Sequence, residues 1–170
     1  MQFLRVAVTL LFPLLQLHTV PPAWRSEAVV VRAVVDGDTI TVAPFGRVNL
    51  LGIEAPHLST RASDIAPFAV EARERLSSIV LNRWVRLETD GQPITKAGRR
   101  IAYVFTEDGQ FVNATLVREG LARASSRSGA RRLDELERAQ RDAQIARRGM
   151  WGGAPRIPDA GYTPPSKRSR

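Results

Sequence analysis

The sequence contains no cysteine among its 170 residues. Disulfide bonds and thiolate-bound zinc are therefore excluded as sources of stability, and the redox compartment stays open. Internal repeats and a sustained coiled-coil heptad are also absent, which argues against solenoid and coiled-coil architectures. With 44% hydrophobic residues, the chain is long enough for one compact domain and too short for two of ordinary size.

The sequence also lacks an apolar run of membrane-spanning length. The apolar run near the N-terminus, residues 6–17, holds roughly a dozen residues and follows a single arginine, Arg5. This layout is typical of a secretory signal peptide, which we place at residues 1–23. We therefore expect an exported protein, periplasmic or secreted, without stable membrane insertion after cleavage. An uncleaved N-terminal membrane anchor is the alternative.

The charge balance is strongly basic, with a formal net charge of +8 and a pI near 11.2. Cationic surfaces bind phosphate backbones and anionic lipids, so a polyanion is a natural partner, although a basic surface can serve solubility alone. Residues 154–170 are rich in proline, have no apolar periodicity and end in basic residues. We predict a flexible basic tail there, after a folded domain at residues 28–152.

The pattern of apolar residues predicts a barrel. Five segments rich in β-branched or large apolar residues predict strands at 28–35, 39–43, 47–53, 84–89 and 100–105. Helices are predicted at 66–81, at 114–119 with Asn113 as its N-cap, and at 131–148. Five strands with a helix after the third suit a mainly β fold with α: a five-stranded OB-fold barrel with about three helices.

The first two strands are joined by the segment VVDGDTITV, residues 34–42. An Asp-Gly pair between two such runs is a strong hairpin signal. Turn chemistry is thus a sufficient explanation for Asp36 and Gly37. It does not explain Asp38, the second aspartate of the motif, which is a candidate metal ligand.

Five blocks follow one another in a fixed order: VVDGDTITV, VNLLGIEAPH, AGRRIAYVF, GQFVNATLVREGLARA and ARRGMWG. Their order and spacing over residues 28–152 resemble the thermonuclease (staphylococcal nuclease-like) family. The resemblance implies an OB-fold barrel with helices and an ancestral calcium-dependent hydrolysis of phosphodiesters in DNA or RNA.

The resemblance also implies a metal site. Asp38 stands at the position of a metal-binding aspartate, and Glu54 replaces a second aspartate with a side chain one methylene longer. The carbonyl of Ala55 falls at a backbone-ligand position. Calcium prefers such hard oxygen ligands. The alternative is structural: Asp38 hydrogen-bonds within its turn, and Glu54 is a carboxylate in solvent.

The catalytic positions of the family are altered. Asn49 stands where the family has a phosphate-binding arginine, and His57 where it has the glutamate that orients the attacking water, while Arg99 matches the second arginine. Arg47, on the same strand face as Asn49, is a candidate for compensation, and His57 for a general base. Because removing one preorganised charge donor costs about 10²–10³-fold, we expect activity to be weak or lost. If the domain is active, it is a metal-dependent nuclease.

Nucleic-acid contacts are predicted at Lys96, Arg99 and Arg100, and the domain is expected to be a monomer. Two tryptophans, Trp84 and Trp151, are interpreted as core or packing residues because each adjoins an apolar segment. Two other functions remain open. One is a non-catalytic OB-fold module that binds nucleic acid through phosphates, and the other is a cell-envelope domain that binds protein or anionic lipid.

Overall fold

The computed structural model describes residues 24–59, 65–91, 100–126 and 130–154. The predicted signal segment, and the predicted tail from residue 155 onward, lie outside the described residues. The strands are β1 (Trp24–Arg25), β2 (Val29–Asp36), β3 (Thr39–Ala43), β4 (Gly46–Leu50), β5 (Ile53–Glu54), β6 (Trp84–Thr89), β7 (Arg100–Thr106) and β8 (Arg123–Ala124). The helices are α1 (Ala69–Val80), α2 (Val112–Arg118), α3 (Leu133–Ile145) and a terminal 3₁₀ helix (Gly149–Trp151).

Five of these strands close into a barrel. Strands β2, β3 and β4 form an antiparallel meander, and β4 then pairs in parallel with β7. Strand β7 is antiparallel to β6, and β6 is antiparallel to β2, which completes the circle. The predicted OB-type barrel, mainly β with α, is confirmed. Outside the barrel, β1 adds to β6 and the short strands β5 and β8 pair with each other.

Strand β2 contributes alternating valines to the interior of the barrel. Val29 and Val31 are buried, and the next buried residue is Val34, so the alternation shifts by one position. The pairing with β3 shows the reason, because its register changes between Val31 and Ala33. Such a bulge bends a strand and increases its twist, as the small radius of a barrel requires.

Helix α1 has buried residues at the three- and four-residue spacing of an amphipathic helix: Ala69, Ala72, Leu76, Ile79 and Val80. It is shorter than the predicted 66–81. Phe68 has a left-handed backbone at φ 67°, and Leu81 is extended, so neither belongs to the helix. The helix packs against β2 and thereby covers the first barrel hairpin.

Asn113 corrects one prediction. Helix α2 begins at Val112, so Asn113 lies within the helix, fully buried, and is not its N-cap. Its Oδ1 accepts a hydrogen bond from the Val104 backbone N–H at 2.9 Å. Its Nδ2 donates to the Leu51 carbonyl oxygen, also at 2.9 Å. One amide side chain therefore ties α2 to β7 and to the connection after β4.

Helix α3 is also shorter than predicted. Leu136, Ala139 and Ala143 are buried on one side of it, and Ala146, within the predicted range 131–148, lies beyond the helix and is exposed. Before the helix, the Arg132 guanidinium stacks over three rings, at 5.8, 5.1 and 5.3 Å from the centroids of Tyr103, Phe105 and Phe111.

Among the described residues, no helix is long and apolar enough to cross a membrane.

After α3 the chain returns to the end of α2. Gly120 and Gly149 lie so close together that a side chain on either glycine would overlap the backbone of the other segment. The Met150 N–H donates to the Gly120 carbonyl oxygen at 3.0 Å. The terminal 3₁₀ helix is thereby fixed against the start of the segment that leads to β8.

The two tryptophans behave differently from each other. Trp151 is half-buried beneath the Arg123 guanidinium, in agreement with a packing role. Trp84 is 51% exposed, so the prediction that it packs in the core is wrong. The reason is strand alternation, because the next residue, Val85, faces the barrel interior and Trp84 therefore faces outward.

Replacing Asn113 by alanine tests the tie between α2 and the barrel. The change leaves the Val104 N–H and the Leu51 carbonyl buried without partners, and each orphaned group costs about 1–3 kcal/mol. We expect the free energy of unfolding, measured in urea, to fall by at least about 2 kcal/mol. Gln144→Ala on the exposed face of α3 is the control. A loss no larger than that of the control would contradict this account.

Candidate active site

The tip of the hairpin between β2 and β3 forms the centre of the candidate site. Asp36 pairs with Thr39, so the two turn residues are Gly37 and Asp38. This shifts the predicted Asp36–Gly37 turn by one residue. The Asp36 Oδ1 accepts a hydrogen bond from the Gly37 N–H at 2.8 Å, which fixes the start of the turn.

Gly37 is buried between two other parts of the chain. A Cβ atom at this position would lie 2.6 Å from the Ala72 Cβ of α1 and 2.7 Å from the Ala55 Cβ. Real carbon atoms do not approach so closely, so only glycine fits here without displacement of α1 or of the loop after β5. The absence of a side chain thus brings Asp36 and Asp38 against that loop.

Asp38 is held by both carboxylate oxygens. Its Oδ1 accepts a hydrogen bond from the Thr39 hydroxyl at 2.8 Å, and its Oδ2 accepts one from the Ala55 N–H at 3.1 Å. The Asp38 carbonyl oxygen accepts from the Leu50 N–H at 2.8 Å. An ionised carboxylate has about four lone-pair sites, so each oxygen retains capacity for a cation.

Asn49 takes part in this arrangement. It lies opposite Thr39 in the pairing of β3 and β4, and its Nδ2 donates to the Thr39 Oγ1 at 3.0 Å. Asn49 therefore orients the hydroxyl that in turn donates to Asp38. Arg47 is exposed on the same face of β4, two residues further from the hairpin tip, as the alternation predicted.

Glu54 and Ala55 lie beside Asp38, on β5 and the loop that follows. The Glu54 Oε1 accepts a hydrogen bond from the Ser125 hydroxyl at 2.8 Å. In the pairing of β5 and β8, Glu54 stands directly opposite Arg123. Sequence reasoning did not assign Arg123 to the site, because pairing across 69 residues leaves no local signal.

The Arg123 guanidinium is supported from the C-terminal end of the domain. Its carbon Cζ lies 4.9 Å from the centroid of the Trp151 ring, and its Nε lies 3.3 Å from the Met150 sulfur. A cation above an indole is attracted to the ring electrons. These contacts hold the Arg123 guanidinium on Trp151, on the strand that pairs with Glu54.

His57 pairs with Asp36. The His57 Nδ1 lies 3.1 Å from the Asp36 Oδ2, and the imidazole is 88% exposed whereas the carboxylate is only 13% exposed. Burial is the main cause that raises the pKa of Asp36, and nearby Asp38 acts in the same direction. The N–H groups of Gly37 and Leu58, together with His57, oppose that shift. Sequence reasoning explained Asp36 by the turn alone and missed this contact.

The remaining predicted residues are placed elsewhere or not described. Lys96 and Arg99 lie outside the described residues. Arg100 begins β7, and its guanidinium lies 5.1 Å above the Phe45 ring, at the other end of the β2–β3 hairpin from Asp38. The site therefore brings together Asp38, Asn49, Glu54, Ala55 and His57, but not Arg100.

The donor set is composed of oxygen. Within the four described ranges, no three His, Asp or Glu side chains converge as a metal cluster. Two carboxylates and one backbone carbonyl would hold a cation only if further carbonyls or waters completed the shell, which is normal for the six to eight oxygen ligands of calcium. The residues present thus fit a hard divalent cation rather than zinc.

Comparison with known proteins identifies the family of this chain. The family model described as Staphylococcal nuclease homologue matches residues 47–153. The thermonuclease of Staphylococcus intermedius is 36% identical over 131 residues, which are 75% of this chain and 77% of the relative. The thermonuclease of Staphylococcus hyicus is 34% identical over 122 residues, 69% of this chain and 72% of the relative.

A third relative is an endonuclease of Bacillus subtilis, the SPbeta prophage-derived endonuclease YokF. It is 31% identical over 134 residues, which are 75% of this chain and 45% of the relative. The chain belongs to the family of staphylococcal nuclease homologues. It contains a thermonuclease-like domain, and the resemblance inferred from the five sequence blocks is confirmed.

Gly37→Ala tests the close approach at the hairpin tip. The added methyl group would force α1 and the loop after β5 apart, and overpacking of this kind costs typically about 1–3 kcal/mol. We expect that loss in urea unfolding. Gly153→Ala is the control, because a Cβ there would lie 3.6 Å from the Gly149 carbonyl oxygen, an ordinary contact. Equal stability of the two variants would show that the tip is not confined.

Proposed function

We propose that this protein is a metal-dependent nuclease with a modified centre, which hydrolyses phosphodiester bonds of DNA or RNA slowly and with calcium. The relatives named above support nucleic acid as the substrate. One observation carries the catalytic part of the proposal, the 3.1 Å contact between the exposed His57 and the buried Asp36. A base held by a second group is the arrangement that general-base catalysis needs.

His57 acts on the attacking water. With Nδ1–H donated to the Asp36 carboxylate, the neutral imidazole presents the lone pair of Nε2, and no described residue hydrogen-bonds to Nε2. Nε2 accepts the proton of the water that attacks phosphorus. The Asp36 charge then stabilises the imidazolium that forms. The His57–Asp36 pair thus takes over part of the role of the family's glutamate, with His57 acting on the water and Asp36 supporting His57 electrostatically.

Asp38, Glu54 and the Ala55 carbonyl would hold the calcium ion. When bound, the ion acts as a Lewis acid that stabilises negative charge on the phosphate oxygens. Thr39 and the Ala55 N–H orient the Asp38 carboxylate, and Asn49 orients Thr39. These hydrogen bonds fix the direction in which the Asp38 carboxylate faces.

Positive charge for the phosphate comes from three arginines. Arg123 stands across from Glu54 and is fixed on Trp151, and Arg47 is exposed two residues from Asn49. By resemblance to the family, Arg99 contributes the third charge. Neutral Asn49 in place of an arginine weakens the stabilisation of the transition state, which is why we propose slow catalysis.

Cleavage of single-stranded DNA with calcium or with chelator tests the metal site. We expect calcium-dependent hydrolysis that Asp38→Asn lowers by about a hundredfold or more, because a charged group that holds the centre is removed. Glu137→Gln, an exposed carboxylate on α3, is the matched control and should cleave like the wild type. Cleavage that survives chelation, or no calcium-dependent cleavage at all, would refute the proposed nuclease.

His57→Ala separates the base from the metal site. We expect kcat to fall by about 10²–10⁴-fold, the usual contribution of a positioned base. Calcium binding, measured by calorimetry, should be unchanged. Asp36→Asn, which keeps an acceptor oxygen and loses the charge, should lower kcat less. A His57→Ala variant with wild-type kcat would exclude the histidine as the base and leave only electrostatic catalysis.

A further inference from the structure

A pocket of about 490 Å³ lies on the outer face of the barrel, away from the candidate active site. Its walls come from the segment that joins β1 to β2, from the end of β3 and from the start of β6. The residues that define its chemistry are Arg25, Glu27, Arg32, Pro44, Phe45 and Trp84. Its volume falls in the range of sites that hold small organic ligands.

One wall is an exposed aromatic ring. Trp84 is directly opposite Val30 in the pairing of β6 with β2, and Val30 is in turn opposite Ala43 of β3. Val30 and Ala43 are small, so the indole is left 51% exposed. Three large hydrophobic side chains are exposed among the described residues, namely Leu81, Trp84 and Ile145. Trp84 is the aromatic one. An exposed indole is a stacking surface for a planar ligand.

The other wall carries an unpaired positive charge. Arg32 is exposed at the β2 bulge, where the strand re-aims a side chain, and it has no ion pair or hydrogen bond to any residue that the structure describes. Arg25 is paired with Glu88 at 3.1 Å, outside the lining. Glu27 is the carboxylate within the lining. Arg32 is therefore the group available to an anion, and Glu27 opposes it.

We propose that this pocket binds one nucleotide unit of single-stranded nucleic acid, with the base stacked on Trp84 and the adjacent phosphate paired with Arg32. A planar ring beside a free guanidinium matches the two chemical parts of a nucleotide. The basic net charge of +8 favours the same polyanion over a neutral peptide. This inference rests on the proposed function only in taking nucleic acid as the ligand. It does not require that the protein cleaves that nucleic acid.

The pocket is distinct from the catalytic centre. Val30 and Asp38 lie near opposite ends of the β2–β3 hairpin, since Val30 and Asp36 are six positions apart on β2, or roughly 20 Å along a strand. A strand long enough to reach both sites would be held at the pocket while it is cleaved at the other end. Substitutions in the pocket should then raise KM for long substrates and leave kcat unchanged.

The test measures binding where no hydrolysis can occur. A fluorescent oligothymidine of about 16 nucleotides, the upper site size of an OB fold, is titrated with Asp38→Asn protein in chelator, and its anisotropy is recorded. Trp84→Leu should weaken binding by about tenfold, as expected for loss of one stacked base, and Trp84→Phe should retain most of the affinity. Unfolding in urea confirms that each variant is folded.

Three charge variants identify the phosphate contact. Arg32→Gln should weaken binding and reduce the slope of log affinity against log salt by about one. Glu27→Gln should strengthen binding, a result that misfolding cannot produce. Arg138→Gln, an exposed arginine on α3, removes the same charge far from the pocket and should leave the salt slope unchanged.

Each other outcome overturns the proposal. Binding that is absent, or unaffected by Trp84→Leu and Arg32→Gln, would show that nucleic acid does not occupy the pocket. A change in oligomeric state in Trp84→Leu would identify a second copy of the chain as the occupant instead. The two proposals fail separately: wild-type protein that binds through Trp84 without cleaving refutes the nuclease alone, and cleavage with Trp84-independent binding refutes the pocket alone.

Discussion

The approach of Gly37 to α1 and to the loop after β5 is the constraint on which the candidate site depends. The hairpin tip lies between Ala72 and Ala55 with no room for a side chain. Two carboxylates flank that glycine, and the confinement sets the direction of each. Asp38 is turned toward the Ala55 N–H, and Asp36 toward His57. Barrel, helix and loop must all be in place before the site exists.

The centre combines retained and altered parts in one hydrogen-bonded unit. Asn49 does not supply the charge that an arginine would, but it holds Thr39, which holds Asp38. In the proposed nuclease, positive charge would come from other strands, and Arg123 stands opposite Glu54 in the pairing of β8 with β5. The Asp38 carboxylate is thus well oriented, whereas the proposed phosphate contacts are spread over several separate residues. This difference is the reason for which we propose slow catalysis.

The sequence predicted the barrel well because alternation within each strand is a local signal, and the order of elements was sufficient for the topology. The prediction of individual residue roles failed where contacts between residues distant in sequence determine the role. Asn113 is a residue type that favours helix caps, yet its partners are Val104 and Leu51, so the helix starts earlier. Asp36 was sufficiently explained by the turn, and its partner lies 21 residues away. Trp84 was predictable: the inward positions of Val85 and Leu87 already place it outside.

The contact between Gly120 and Gly149 has a consequence for the order in which the protein is made. The C-terminal 3₁₀ helix supplies the Trp151 ring beneath Arg123, and it is seated by the backbone contact to Gly120. During synthesis from the N-terminus, Asp38 and His57 therefore emerge long before the ring that supports Arg123. A nascent chain halted before Gly149 carries every candidate catalytic residue but lacks the Trp151 ring, so the support of Arg123 forms only after the C-terminal 3₁₀ helix has been made.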